Sequence, residues 1–300
     1  MGGITTPDIM PDDKERLHQW LEKGHHADME WMARSRDRRV DPLLSLPNVK
    51  SIIMLGVNYY QPDSKETAPG YGRVARYARG RDYHKVIGRM TKHLISKIQD
   101  TLGSRTDHDF FWYVDYGPFL ERAYAGKAGL GFVGKNGMLI NRTFGSWFFI
   151  SEILTSVELE PDEPFGGNHG RCGKCTLCVD ACPTGAILPG NVIDSRKCIS
   201  YLTVERPSQI PEDLAAKMGN LLFGCDICQK VCPHNGRAKL TRHAEFLSAA
   251  GVGELLDLKR VLSMTTREEF LNLTAGTPLT RPRLEGLQQV ARIVLMNQDL

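Results

Sequence analysis

Cysteine is missing from the first 171 of 300 residues, and its late appearance turns out to matter more than its absence. No apolar run reaches the ~18–20 residues that a membrane-crossing helix needs. The opening stretch, MGGITTPDIMPDDK, has no basic segment leading into an apolar one. No export signal is therefore read, and the chain is expected to be cytosolic. A charge bias is lacking too. Lys+Arg number 38 against 35 Asp+Glu, a net +3, which by itself implies no nucleic-acid partner. Walker, HExxH and G-x-S-x-G motifs do not occur. What remains is ordinary globular composition, 41% hydrophobic and 24% charged, with length for two small domains.

All eight cysteines lie between Cys172 and Cys232. In a chain of this size without an export signal, clustered C-x-x-C spacing reads as metal or redox chemistry rather than disulfides. The first run is Cys172-x2-Cys175-x2-Cys178-x3-Cys182-Pro183, the bacterial ferredoxin pattern for [4Fe–4S] clusters. Three thiolates at that spacing wrap one face of a cubane, and the fourth, on the following helix, points to the other cluster. A second copy, Cys225-x2-Cys228-x3-Cys232-Pro233, lacks its first ligand, because Leu222 stands there. Cys198 is the thiol left to replace it. The crossing rule then assigns Cys172, Cys175, Cys178 and Cys232 to one cluster and Cys182, Cys198, Cys225 and Cys228 to the other. Two four-cysteine zinc sites are the competing reading. Zinc usually takes two separated C-x2-C pairs per site, which this run does not supply.

Outside the cysteines, residues 1–165 read as a separate α/β unit. Residues 11–24 form a helix with acids in its first turn. Residues 51–59 (SIIMLGVNY) and 110–115 (FFWYVD) are buried strands. Pro118 is placed at the first position of a further helix, PFLERAYAGKAG. Residues 138–141 and 147–153 read as strands, and 160–170 as a linker. Helices are expected over 195–205, 211–223, 266–273 and 283–297.

Three features carry more than one reading. Gly129-x-Gly131-x-x-Gly134 matches a nucleotide fingerprint literally, but a helix precedes it and an Asn136-Gly137 turn follows, so no phosphate loop is expected. Its glycines are expected to let the backbone approach a large flat ligand. Residues 73–97 hold eight Lys/Arg against one acid, Asp82, with Tyr77 and Tyr83 interleaved and Tyr71 just before. A solvated helix face is the plain reading, and a phosphate-binding surface is the one favoured. Asp115 closes an apolar strand. Either it caps a helix, or burial raises its pKa so that it holds a proton near neutrality.

Segments RRVDPLLSLPNVK (38–50), YARGRDYH (77–84), VDYGPFLER (114–122), AGLGFVGKN (128–136), the Cys172 run, CISYLTVE (198–205) and GCDICQKVCP (224–233) occur in this order. Together they resemble the epoxyqueuosine reductases, cobalamin-dependent enzymes of tRNA modification. The resemblance implies an α+β chain in three parts. These are a nitroreductase-like cobalamin-binding domain (1–165), a ferredoxin-like domain with two [4Fe-4S] clusters (166–240) and a short helical C-terminal segment (241–300). It implies electrons passing from an external low-potential donor, such as a flavodoxin or ferredoxin, through both clusters to cobalt. The product is queuosine at the wobble position of the tRNA anticodon loop, formed with two electrons and two protons. Cobalamin supplies the hard chemistry and the protein supplies geometry and protons.

In that resemblance Asp115 matches the proton-donor aspartate. Asn136 and Ser200 become candidate cobalamin contacts, with Arg38, Tyr83, His84, Lys135 and Arg206 as weaker ones. A near match to the cobalamin pattern D-x-H-x-x-G appears at Asp82-Tyr83-His84, but Ile87 stands where Gly belongs. Base-off cobalamin without a histidine below the cobalt is expected. Some relatives have a cysteine in the YARG segment; Ala78 stands there, so no obligatory catalytic cysteine is expected. Many relatives continue into helical repeats that hold tRNA. RNA contact is here expected from residues 73–97, Arg281, Arg283 and the cluster-domain surface, in a monomer with no membrane association. The competing functions are a reductive dehalogenase and a plain iron–sulfur electron carrier.

Overall fold

The computed structural model describes residues 1–63, 66–103, 107–166, 171–206 and 208–298. Its main sheet is antiparallel, in the order β1 (Gly2–Thr5), β2 (Ser51–Asn58), β7 (Phe148–Thr155), β4 (Phe110–Tyr113). Side chains alternate across such a strand. On β7, Phe149 and Ser151 therefore meet the long helix α4 (Tyr83–Leu102). There Phe149 packs with Tyr83, Val86 and Ile87, and Ser151 Oγ lies 3.3 Å from Thr91 Oγ1. The other face carries Phe148, Ile150 and Leu154 with Met54 and Tyr113, under α5 (Glu121–Lys127). Helix α4 starts where Asp82 caps the His84 N–H at 3.1 Å, and it buries Tyr83, Val86, Ile87 and Thr91 at helical spacing. Helix α1 (Pro11–Glu22) and the short α2 (Glu30–Arg34) and α3 (Arg36–Val40) complete the N-terminal part.

A second sheet joins distant parts of the chain. Strand β3 (Tyr71–Val74) pairs in parallel with β10 (Leu221–Phe223) and antiparallel with β11 (Leu255–Asp257). One apolar core runs from Val74 and Ala78 through Ile199, Leu222 and Phe223 to Leu258, Leu287, Val290 and Val294. It takes in α7 (Ile199–Val204), α8 (Glu212–Ala215), α10 (Leu258–Ser263), α11 (Arg267–Thr274) and α12 (Arg283–Met296). Helix α11 opens with a reciprocal capping box between Thr266 and Glu269. Two hairpins pair β5 (Phe132–Val133) with β6 (Leu139–Ile140) and β8 (Ile187–Leu188) with β9 (Val192–Ile193). The short helices α6 (Leu177–Asp180) and α9 (Ile227–Lys230) each sit inside a cysteine run and pack on each other.

Several expectations are corrected. Pro118 does not start a helix: two tight turns, Tyr116 N–H to Val114 O and Phe119 N–H to Gly117 O, occupy residues 114–119, and α5 begins at Glu121. Residues 195–205 split at Cys198, whose extended backbone separates a 3-10 turn from α7. Residues 211–223 end in strand β10, because Leu221 and Phe223 pair with β3. The glycine triplet builds the β5–β6 hairpin, with Gly134 N–H donating to Met138 O. A Cβ on Gly131 would stand 2.3 Å from Ile140 O, and one on Gly129 2.7 Å from Glu163 O. The close approach is thus to the chain's own backbone. Residues 160–166 make no helix or strand, and 167–170 of the expected linker lie outside the described residues.

Candidate functional site

Asp115 follows β4 in the loop of residues 114–120, and its backbone takes the left-handed φ of 63°. A non-glycine residue there is held by its surroundings. Gly117 folds back so tightly on Tyr113 that a Cβ would meet the ring at 2.2 Å. Loop geometry turns the carboxyl outward, with 56% of the side chain exposed. Tyr83, the first residue of α4, donates its hydroxyl to Asp115 Oδ2. Its ring is stacked between His84, at 4.0 Å, and Phe149, at 4.2 Å. Burial first, then the Asp115 charge, pushes the Tyr83 phenol well above its ordinary value, so it remains a donor. His84 Nε2 lies 3.7 Å from Asp115 Oδ2, and its Nδ1 lies 2.8 Å from Asp82 Oδ1. Both ring nitrogens thus face carboxylates.

Arg281 binds Glu205, Nη2 to Oε2 at 2.9 Å. Glu205 first holds its guanidinium above the ordinary value, with Asp115 and Tyr83 adding to the effect. Behind Asp115 stand two carboxyls that sequence reading missed. Burial, and then the Asp115 charge, pushes Glu121 up to about 8. Burial, then Glu121 and Asp115, pushes Glu152 well above its ordinary value. A lone acid inside the apolar strand FFISEILT was the available signal.

The eight thiols are free and half-buried, and they lie close enough to act on one another's charge. Cys232, raised by burial first, has Cys172, Cys178 and Cys175 as its charge neighbours. Cys225, pushed up to about 12 by burial, neighbours Cys198 and Cys182. Cys228 is raised by burial and then by Cys225 and Cys198. Backbone N–H groups of Lys135 and Ala186 point at Cys172 Sγ and Cys182 Sγ, each at 3.4 Å. Such N–H···S contacts favour thiolate ligands. Among the described residues no three His, Cys, Asp or Glu side chains close on a single-ion site.

The other residues expected at the site spread along these two features. Asn136, 5% exposed, reaches from the β5–β6 turn toward Cys228 O at 3.5 Å. Ser200 is the second residue of α7, two positions after Cys198. The Lys135 ammonium binds the carbonyls of Gly173 and Cys175, over the first thiol set. Arg38 lies 3.5 Å from the Tyr113 hydroxyl, and Arg206 binds Gln209 O at 3.0 Å.

The basic stretch divides. Arg73, Arg76 and Arg79 are buried and paired, Arg73 with Glu254, Arg76 with Asp63 at 2.9 Å and Asp226 at 3.2 Å, Arg79 with Asp63 at 2.7 Å. Burial works to raise Asp63, but Lys230, Arg79 and Arg76 hold it well below the usual carboxylate range. Buried charges persist only when paired in this way. Tyr83 and Tyr77 pack against each other, and Tyr77 also packs on Phe223, so neither offers a stacking face. The exposed cations are Arg81, Lys85, Arg89, Lys92 and Lys97, and the expected phosphate surface is reduced to them. A cavity of about 760 Å³ lies beside Asp63, Arg73, Pro183, Ile227 and Lys230, and none of the Asp115 group lines it.

An iron–sulfur protein with two thiol sets and a separate acidic site is the class this geometry defines. Residues 171–235 match the family described as a 4Fe-4S double cluster binding domain. Residues 39–115 match epoxyqueuosine reductase QueG, DUF1730. An epoxyqueuosine reductase from Leadbetterella byssophila is 40% identical over 287 residues, covering 96% of this chain and 91% of the relative. A crystal structure of epoxyqueuosine reductase with an epoxyqueuosine-modified tRNA-Tyr stem loop superposes with TM-score 0.86 at 30% identity, over 99% of this chain and 77% of that one. The Bacillus subtilis enzyme, captured with an aspartate-bearing catalytic loop swung out of its active site, superposes with TM-score 0.83 at 30% identity, over 99% and 77%. The chain belongs to the epoxyqueuosine reductase family. It is an oxidoreductase whose α+β fold carries a double [4Fe–4S] cluster binding domain.

Proposed function

We propose that this chain reduces epoxyqueuosine in a tRNA anticodon loop to queuosine, with Asp115 as the proton donor. The carrying observation is the convergence of the Tyr83 hydroxyl and His84 Nε2 on a half-exposed Asp115 carboxyl held at positive φ. One [4Fe–4S] cluster is assigned to Cys172, Cys175, Cys178 and Cys232, the other to Cys182, Cys198, Cys225 and Cys228. A base-off cobalamin belongs to this reading, and the His84 ring, whose nitrogens both turn to carboxylates, supports it. Asn136 and Ser200 would meet its amides, with Arg38, Lys135 and Arg206 at its edge. When bound, it supplies the reducing equivalents to the substrate.

Asp115 then has a defined task. Its carboxyl protonates the oxygen that leaves the epoxide carbon, and Tyr83 orients it through the hydrogen bond to Oδ2. Arg81, Lys85, Arg89, Lys92, Lys97, Arg281 and Arg283 offer exposed positive charge to the phosphates of the stem loop. Nitroreductase-like and ferredoxin-like architectures for residues 1–165 and 166–240, a monomeric state and a flavodoxin or ferredoxin donor complete the proposal. Among the described residues no helix is long and apolar enough to cross a membrane.

Anaerobically reconstituted protein is expected to bind one equivalent of cobalamin and to convert epoxyqueuosine-containing tRNA. Asp115→Asn should lose turnover by about 10²-fold or more while keeping its iron and cobalamin. Full turnover in that variant sinks the assignment of Asp115. Cobalt-free protein without turnover would instead indicate an electron carrier.

A further inference from the structure

Asp226 stands between Cys225 and Cys228 in the second cysteine run and is 5% exposed. An aspartate at the head of α9 would ordinarily turn its side chain back to cap that helix. This one makes no capping bond. Its Oδ2 instead accepts the backbone N–H of Arg76 at 2.9 Å and Nη1 of the same residue at 3.2 Å. Arg76 is itself locked in place. Its Nε donates to Gln61 O at 2.8 Å, its Nη2 meets Asp63 Oδ2 at 2.9 Å, and its guanidinium lies over the Trp147 ring, 4.8 Å from the centre. Burial works to raise the Asp226 carboxyl, and the two Arg76 groups oppose it. A buried carboxylate paired in this way keeps a charge that a lone one would give up. The same place in the first cysteine run holds Thr176, uncharged and exposed.

We propose that the Asp226 carboxylate, clamped by Arg76, is a positioning charge that lowers the reduction potential of the cluster assigned to Cys182, Cys198, Cys225 and Cys228. The inference rests on that cluster assignment. The step it governs is the uptake of one electron from the external donor, in which no bond to Asp226 forms or breaks. The electron adds negative charge to the cluster, and a fixed carboxylate in the ligand loop repels it. Charge and burial around a cluster are among the quantities that set its potential. Nearby cations are engaged with other carboxylates: Lys230 and Arg79 with Asp63, each at 2.7 Å, and Arg73 with Glu254. Arg76 alone among them divides itself between Asp63 and Asp226. After burial and the neighbouring thiols, the Asp226 charge adds to the rise of both Cys225 and Cys228. With Thr176 in the matching place, the first cluster has no such neighbour. The device thus makes one cluster of the pair a stronger reductant than its thiol ligands alone would.

Redox titration of the anaerobically reconstituted full chain, followed by electron paramagnetic resonance, reads the midpoint of each cluster. Asp226→Asn keeps an oxygen for the Arg76 donors and loses the charge. With iron content unchanged, one midpoint is expected to rise and the other to stay where it is. In a Cys232→Ser background the surviving midpoint should show the same rise. Midpoints identical to the wild type, or an equal shift in both, overturn the proposal. A rise confined to the cluster that Cys232→Ser removes would reject the crossed assignment and leave the role of Asp226 standing. Where Asp226→Asn does not load iron, the smaller Asp226→Ser is read by the same criterion. Loss of that cluster in both variants makes Asp226 a structural clasp and overturns the proposal.

Discussion

Asp115 is held by a residue far from it in sequence, Tyr83 of α4, and its charge is felt by Glu121 of α5 and by Arg281 before α12. Glu121 also couples the site to folding. Burial, then Asp115, raises it from the ordinary value of 4.5 to about 8, so between those values the native chain holds a proton that the unfolded chain has released. Its stabilising contribution is complete below pH 4.5 and is lost as pH rises to about 8. Thermal melts of the wild type should therefore show Tm falling across that window, with a smaller fall in Glu121→Gln. An unchanged slope in the variant would deny Glu121 this role.

The short helices α6 and α9 decide how the cysteine runs combine. Each holds one thiol of its run and lies against the other, and the last cysteines, Cys232 and Cys182, have thiols of the other run as charge neighbours, which is what the proposed crossing requires. Leu222, at the place of the missing ligand, is fully buried in the core beside β3, and the proposed assignment gives its role to Cys198. The crossed assignment makes a sharp prediction. Cys232→Ser removes a ligand from the set containing Cys172, not from the set containing its sequence neighbours Cys225 and Cys228. Iron analysis should show about half the wild-type content. The spectrum of the surviving cluster should disappear on a further Cys198→Ser change. Persistence of that spectrum would reject the crossing.

Across the whole molecule, strands from residues 71–74, 221–223 and 255–257 share one sheet, and one core spans them. The buried arginines Arg73, Arg76 and Arg79 clasp this region to Asp226, beside Cys225, and to Glu254. Gly80 is a tight point of that closure, because a Cβ there would stand 2.4 Å from Glu245 O and 2.6 Å from the Phe246 backbone. Gly80→Ala should cost roughly 1–3 kcal/mol, since rigid backbone must move to admit the methyl group. Melting followed by tyrosine fluorescence and by cluster absorbance should shift downward together. A loss confined to one probe would show that the Asp115 region and the cluster region unfold apart.

The two cysteine runs, strands β2, β4 and β7, and helices α1, α11 and α12 were legible along the chain. Their signals are local: thiol spacing, alternation, helical periodicity and caps act over a few residues. The VDYGPFLER segment points to Asp115, but nothing along the sequence pairs Tyr83 and His84 with it. Residues 73–97 looked like one basic surface because charge along a sequence does not reveal burial. Only packing showed three of its arginines turned inward onto Asp63, Asp226 and Glu254. Pairing of a buried charge, closure of a hairpin by glycines and the solvent-free setting of Glu152 depend on atoms brought together from distant segments, and tertiary structure alone supplies those neighbours.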